Sequence, residues 1–313
     1  MIATLGEALV DMIEQQDGRF DACLGGSVCN FTQALALQGI DTSYLNPLSA
    51  DNFGLRFRAL LSSHGVHMAT GRRSLRPTAL AIVSLDEQGS PTYAFHRDSV
   101  ADRDISAAEL ITALPDPCQL LHTGGLALTP ADLDKTLEVV RAAAANGTLI
   151  SIDANLRPVA VDDPAVYVTG VRQALALAQV IKVSDEDLQV LGIDPHDLEA
   201  VATLLQPASV QLIALTRGAS GALLMTRQHR IALPAPSNLT IVDTVGAGDC
   251  FQAGLIACLA RAGKLDSVGA LAELDPALLC TALSHALAAA SINVTRAGCN
   301  PATWEETVAI QRQ

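Results

Sequence analysis

The chain reads as an α/β protein with a central, mostly parallel sheet flanked by helices. Two observations predict this. From about Leu120 to Met225, short apolar runs rich in leucine and β-branched residues alternate with longer stretches of helical periodicity, the pattern of βαβ units. The runs end on polar or glycine-bearing clusters, His122-Thr123-Gly124-Gly125, Asp153-Ala154-Asn155 and Thr216-Arg217-Gly218. Ligands of open α/β sheets sit outside the carboxyl ends of the strands, so these clusters mark where a site should form.

Taken in order, the first hundred residues depart from that rhythm. Helical periodicity is expected over 27–38 and 52–64, interrupted by two pairs of extended stretches, ALVDMIEQ with RFDACL and TALAIVSLD with PTYAFHR. These predict hairpins that form a small β lid, about residues 9–24 and 80–97, over the main sheet. Strands are then expected at LLHTG, TLISID, QVIKV and VQLIALT, with helices over 130–146, over 164–178 and from Ser184. A last apolar helix, CFQAGLIACLARAG, should end near Gly263. With 313 residues, 50% of them hydrophobic, and no low-complexity linker, one domain over residues 1–313 is expected.

Composition narrows the function. A net charge of −13 with only three lysines does not suit nucleic acid or an anionic membrane, which need clustered cations. The seven cysteines, at 23, 29, 118, 250, 258, 280 and 299, form no C-x-x-C pair, so buried free thiols are expected and a zinc site is not. No uninterrupted apolar stretch approaches the roughly 20 residues that cross a bilayer, and the N-terminus lacks a basic, then apolar, leader. A cytoplasmic protein with a small-molecule partner is the expectation.

The strongest local signal is Asp243-Thr-Val-Gly-Ala-Gly-Asp249 before the last helix. Gly246, Ala247 and Gly248 allow close backbone approach, and their N–H groups with the helix dipole make an anion site. A carboxylate beside bound phosphate is repelled, so Asp249 suits that place if it accepts a proton; taken alone, a simple N-cap is the commoner explanation. The segment lacks the third glycine of G-x-G-x-x-G, and the chain has no G-x-x-x-x-G-K-[ST], which disfavours a dehydrogenase or a P-loop enzyme.

DTVGAGDCFQAGL resembles the C-terminal signature of the ribokinase-like (PfkB) carbohydrate kinases. Gly25-Gly26-Ser-Val-Cys-Asn30 is similar to their N-terminal signature, and Asp153-x-Asn155-x-Arg157, Lys182-Val-Ser-Asp-Glu-Asp187 and Leu215-Thr-Arg-Gly218-x-x-Gly221 follow in the family's order. The resemblance runs from about Gly6 to Pro301 and is strongest to fructokinases, through GEALVDMI, KVSDED and FHRDSVAD.

The resemblance implies phosphorylation of a small sugar by ATP with Mg²⁺ and Asp249 as general base, and it admits K⁺ and a homodimer. Gly25 and Gly26 would let the sugar approach the backbone, while Asp11 and Asn30 would bind its hydroxyls at the end opposite Asp249, with Asn155 beside them. Arg157 would meet the transferred phosphoryl group, and Arg97 on the lid would meet the acceptor. Ser184, Thr216, Gly218, Gly221 and Asn293 would flank the nucleotide. Asp187, shorter than the family's usual glutamate, would act indirectly on Mg²⁺; its Ser-x-x-acid setting is also a capping box. Backbone carbonyls at Asp243 and Val245, near Gly298, would form a K⁺ loop. Fructose, phosphorylated on its 6-hydroxyl, is the expected acceptor. The alternatives are 2-keto-3-deoxygluconate, whose carboxylate Arg97 would receive, and a non-catalytic sugar-binding relative.

Overall fold

The structure, a computed structural model, describes residues 1–15, 17–85, 91–237 and 239–311. Nine strands form the main sheet. Across it they lie in the order Arg230–Leu233, Ala222–Met225, Leu212–Thr216, Val180–Ser184, Leu149–Asp153, Leu120–Gly124, Ile2–Leu5, Thr42–Tyr44 and His67–Met68. All neighbours run parallel except the last hairpin, where Ala222–Met225 is antiparallel to both strands beside it. The four strands expected between residues 120 and 216 form and lie side by side near the sheet's centre.

Their composition explains why. Each is buried on both faces, and alternate residues feed two separate cores: Leu120, Leu149, Val180 and Leu212 pack on one side, and Leu121, Ile150, Ile181 and Ile213 on the other. Such strands carry near-continuous apolar runs, because helices cover both faces of a parallel sheet. The core with Leu120 and Leu149 also holds the helices Ala247–Arg261 and Pro276–Val294. They approach closely where Gly254 sits, since a Cβ there would stand 3.0 Å from the Ala289 side chain.

Two expectations need correction. The helix Pro276–Val294, 19 residues with a mean hydropathy of 1.6, is long and apolar enough to cross a membrane, although His285, Ser284 and Ser291 break its apolar run to the eye. Most of it is buried against the protein. The helix carrying Asp249 begins at Ala247, with Gly246 as its N-cap in the left-handed region (φ 75°). Asp249 therefore stands in the first turn and is not the cap.

The two predicted hairpins form one four-stranded sheet. Leu9–Glu14 pairs antiparallel with Phe20–Gly25 and parallel with Ala79–Leu85, which pairs antiparallel with Pro91–His96. Residues 16 and 86–90 of the predicted lid lie outside the described residues.

Candidate active site

The carboxyl ends of the central strands, the start of the helix Ala247–Arg261 and the inner face of the lid enclose a cavity of about 430 Å³. Asp11, Gly26, Asn30, Asn155, Arg157, Asp243, Val245, Gly246, Ala247, Gly248 and Asp249, all expected at the site, line it. Gly25 lies just behind, where a Cβ would fall 2.3 Å from the Asp11 carboxylate. Its neighbour Gly26 has φ 97°, and a Cβ there would meet the Glu7 carbonyl at 2.7 Å. The diglycine thus lets the turn into the helix Ser27–Leu37 pass under the lid without steric conflict.

At the other end, Gly246 has no room for a side chain, since a Cβ would lie 2.5 Å from Cys299 Sγ. The Ala247 amide closes a turn onto the Thr244 carbonyl, whereas those of Gly248 and Asp249 have no backbone acceptor among the described residues. These two head a 15-residue helix, so they and its dipole form the anion-binding end. Lys182 stands against them, its Nζ 3.1 Å from where a Gly248 Cβ would be.

Asp249 is 8% exposed, and its Oδ2 accepts a hydrogen bond from Asn30 Nδ2 at 3.0 Å. Burial, reinforced by the nearby Asp153 charge, pushes its pKa up to about 7; Asn30, Lys182 and Arg157 offset this only partly. The group is therefore poised to take a proton near neutral pH. Asp11, on the lid, is raised to about 6 by burial, with Arg157 pulling the other way. The Asn30 contact also corrects the expected layout, because this one of the expected hydroxyl-binding residues reaches Asp249 directly and does not sit at the opposite end.

Several expected residues lie elsewhere. Arg97 points away from the cavity and pairs with Asp102 at 2.7 Å and Asp132 at 3.2 Å in a buried cluster. Ser184 and Asp187 form a capping box, and the carboxylate of Asp187 accepts from the amides of Ser184 and Leu156 at 2.8 and 2.7 Å. Each of its oxygens accepts one backbone N–H, and Asp187 does not line the cavity. Asp187→Ala strands two backbone N–H groups and is expected to cost at least about 1–3 kcal/mol in urea unfolding; an unchanged midpoint would contradict this assignment.

Thr216, Gly218 and Gly221 do not line the cavity. Gly221 is a turn residue with φ 92°, where a Cβ would strike the Leu233 carbonyl at 2.1 Å. The Asn293 amide is a clasp between loops, donating to the Val245 carbonyl at 2.8 Å and accepting from the Asn300 amide at 2.9 Å. The Asp243 carboxylate likewise binds the Val245 and Gly298 amides. Hydrogen bonds internal to the protein thus shape the expected K⁺ loop, and one of them already uses the Val245 carbonyl.

Sequence reading passed over Lys182, Glu7 and Glu186, all of which line the cavity. Lys182 Nζ is 2.9 Å from both oxygens of Asp153. Burial works against its charge, but Asp153, Asp187 and Asp249 outweigh that and hold its pKa above the ordinary value. A lysine inside the apolar strand QVIKV was the available signal, because a buried ammonium demands a partner. No group of three or more His, Cys, Asp or Glu side chains that could hold a metal occurs among the described residues. Glu186, which lines the cavity, would suit a Mg²⁺ that keeps its waters and arrives on phosphates.

The model of the pfkB family of carbohydrate kinases matches residues 1–306. A fructokinase from Rhizobium leguminosarum bv. trifolii is 33% identical over 272 residues, 86% of this chain and 81% of that protein. A fructokinase from Xylella fastidiosa solved with bound ATP superposes with a TM-score of 0.87 at 29% identity, covering 100% of this chain and 98% of that one. A fructokinase from Vibrio cholerae O395 in a fructose-, ADP- and calcium-bound form gives 0.78 at 26% identity over 96% and 94%. A family match over nearly the whole chain, on a fold that gathers residues of four of the five motifs into one cavity, means that this chain belongs to the pfkB family and is a carbohydrate kinase.

Proposed function

We propose that the chain transfers the γ-phosphoryl group of ATP to the 6-hydroxyl of fructose by direct in-line displacement. The observation that carries this reading is the union, in one cavity, of Asp249 with the open Gly248 and Asp249 amides and Lys182. Asp249 takes the hydroxyl proton as the oxygen attacks phosphorus, and ADP leaves. The amides, Lys182 and Arg157 counter the charge on the transferred group, a role in which preorganised donors in a dry site are most effective. Mg²⁺ arriving on the phosphates supplies further charge neutralisation, with Glu186 as the carboxylate to hold it through water. Asp11, Asn30, Asn155 and the diglycine turn seat the sugar. Relatives solved with ATP, or with fructose and ADP, support the choice of donor and acceptor.

The burial of Arg97 removes the feature that favoured 2-keto-3-deoxygluconate, because its charge is spent on Asp102 and Asp132. Fructose is accordingly expected to give the highest kcat/KM in a panel with ribose, adenosine and 2-keto-3-deoxygluconate. A site that pairs several hydroxyls rejects analogues leaving its polar groups unpaired. A panel led by 2-keto-3-deoxygluconate would overturn the acceptor assignment and leave the kinase assignment intact.

A further inference from the structure

Behind the diglycine turn, Glu7, Arg97 and Asp102 line a second, small cavity of about 10 Å³, together with Gly6, Asn46 and Asp132. The three side chains are 2%, 7% and 5% exposed. Most of their polar atoms are committed. Arg97 Nη2 donates to Asp102 Oδ2 at 2.7 Å, and Nη1 to Asp132 Oδ2 at 3.2 Å and the Leu126 carbonyl at 3.3 Å. Glu7 Oε1 accepts from both the amide and the hydroxyl of Ser27 at 2.9 Å. What remains is one atom from each: Arg97 Nε, Asp102 Oδ1 and Glu7 Oε2 are buried and have no hydrogen-bond partner among the described residues.

One donor and two acceptors around a space of about one water is the complement of a single water molecule. Such a site needs roughly 10–15 Å³ and two to four polar partners. We propose that a buried water accepts from Arg97 Nε–H and donates to Glu7 Oε2 and Asp102 Oδ1, and thereby makes Arg97 and Asp102 positioning residues for the sugar site. A metal ion fits poorly, because Arg97 presents an N–H and a positive charge to the same space.

The link has direction. Arg97 directly follows the lid strand Pro91–His96, and Ser27 opens the helix that follows Gly26. Glu7 joins them. The water therefore ties the root of the lid to the turn against which the acceptor sits. The salt bridges among Arg97, Asp102 and Asp132 hold the guanidinium at the second cavity and away from the main one. Burial raises the Glu7 pKa, and the Arg97 charge offsets this only in part.

The catalytic consequence rests on the proposed acceptor site, whereas the water itself does not, so the test has two arms. An electron-density map of the full chain should show a peak about 2.7–3.2 Å from all three atoms. No peak there, or one out of reach of Arg97 Nε, overturns the site even if fructose is phosphorylated. In the second arm, Arg97→Lys keeps a cation for the aspartates but loses the Nε–H. It should raise the KM for fructose roughly three- to tenfold, the size of one net hydrogen bond, with kcat within about twofold. Asp102→Asn can turn its amide so that the water still bridges to Glu7, and should retain the peak and a near-normal KM. A folded Arg97→Lys protein with unchanged KM overturns the positioning role. If Arg97→Lys does not fold, loss of the peak in Asp102→Asn, or a KM raised as far as a lost hydrogen bond, overturns it instead. A protein that turns over no fructose but shows the peak refutes the acceptor assignment alone.

Discussion

Replacing Asp249 with asparagine is expected to lower kcat by about 10²- to 10⁴-fold, the usual range for loss of a general base, while fructose affinity changes little. The substitution isolates proton acceptance. Asparagine has the same size, and its carbonyl oxygen can still accept the hydrogen bond that Asn30 donates to Asp249. The helix start at Gly246 is undisturbed, because Asp249 does not cap it. An interaction made only in the transition state shows itself when kcat and kcat/KM fall together. Measuring both under saturating ATP, with fructose binding measured separately by calorimetry, gives the answer. A folded Asp249→Asn enzyme with near-normal kcat would refute the role.

Lys182→Met should be the most destabilising single change at the site. It leaves the Asp153 carboxylate buried without the cation that contacts both its oxygens, and breaking a buried pair in this way costs about 3–5 kcal/mol. Turnover should fall as well, since Lys182 stands beside the Gly248 amide where the phosphoryl charge develops. Lys182→Met combined with Asp153→Asn should recover much of the stability and little of the turnover, because the buried charge is gone but the cation is still missing. Urea unfolding of the two variants separates the effects. A loss below about 1 kcal/mol in Lys182→Met would mean that the pair carries no such interaction.

How legible these features were depended on the range of the interaction. The strands at 120–124, 149–153, 180–184 and 212–216 declared themselves because burial on both faces forces apolar runs, and their polar ends pointed to the site. The glycines and carboxylates of the cavity were legible because backbone crowding and charge leave a residue-type signature. Partners distant in sequence leave almost none. Arg97 reads as a lid arginine until Asp132, 35 positions away, is placed against it. Asn293 reads as a free polar group until folding sets it beside the Val245 carbonyl. The Asp187 capping box was visible locally, but its second bond, to the Leu156 amide, depends on two strands lying side by side.

The account turns on Asp249 acting as a base in sugar phosphorylation, and the pH dependence of ADP release with and without fructose tests it most directly. Because burial lifts its pKa to about 7, Asp249 is protonated and unable to accept a proton well below that pH, and becomes competent above it. In the presence of ATP and Mg²⁺, fructose-dependent ADP release should therefore appear, with kcat/KM climbing from pH 5 and levelling off above an inflection near 7. ADP release that ignores fructose, or fructose-dependent release that stays flat from pH 5 to 9, would contradict it.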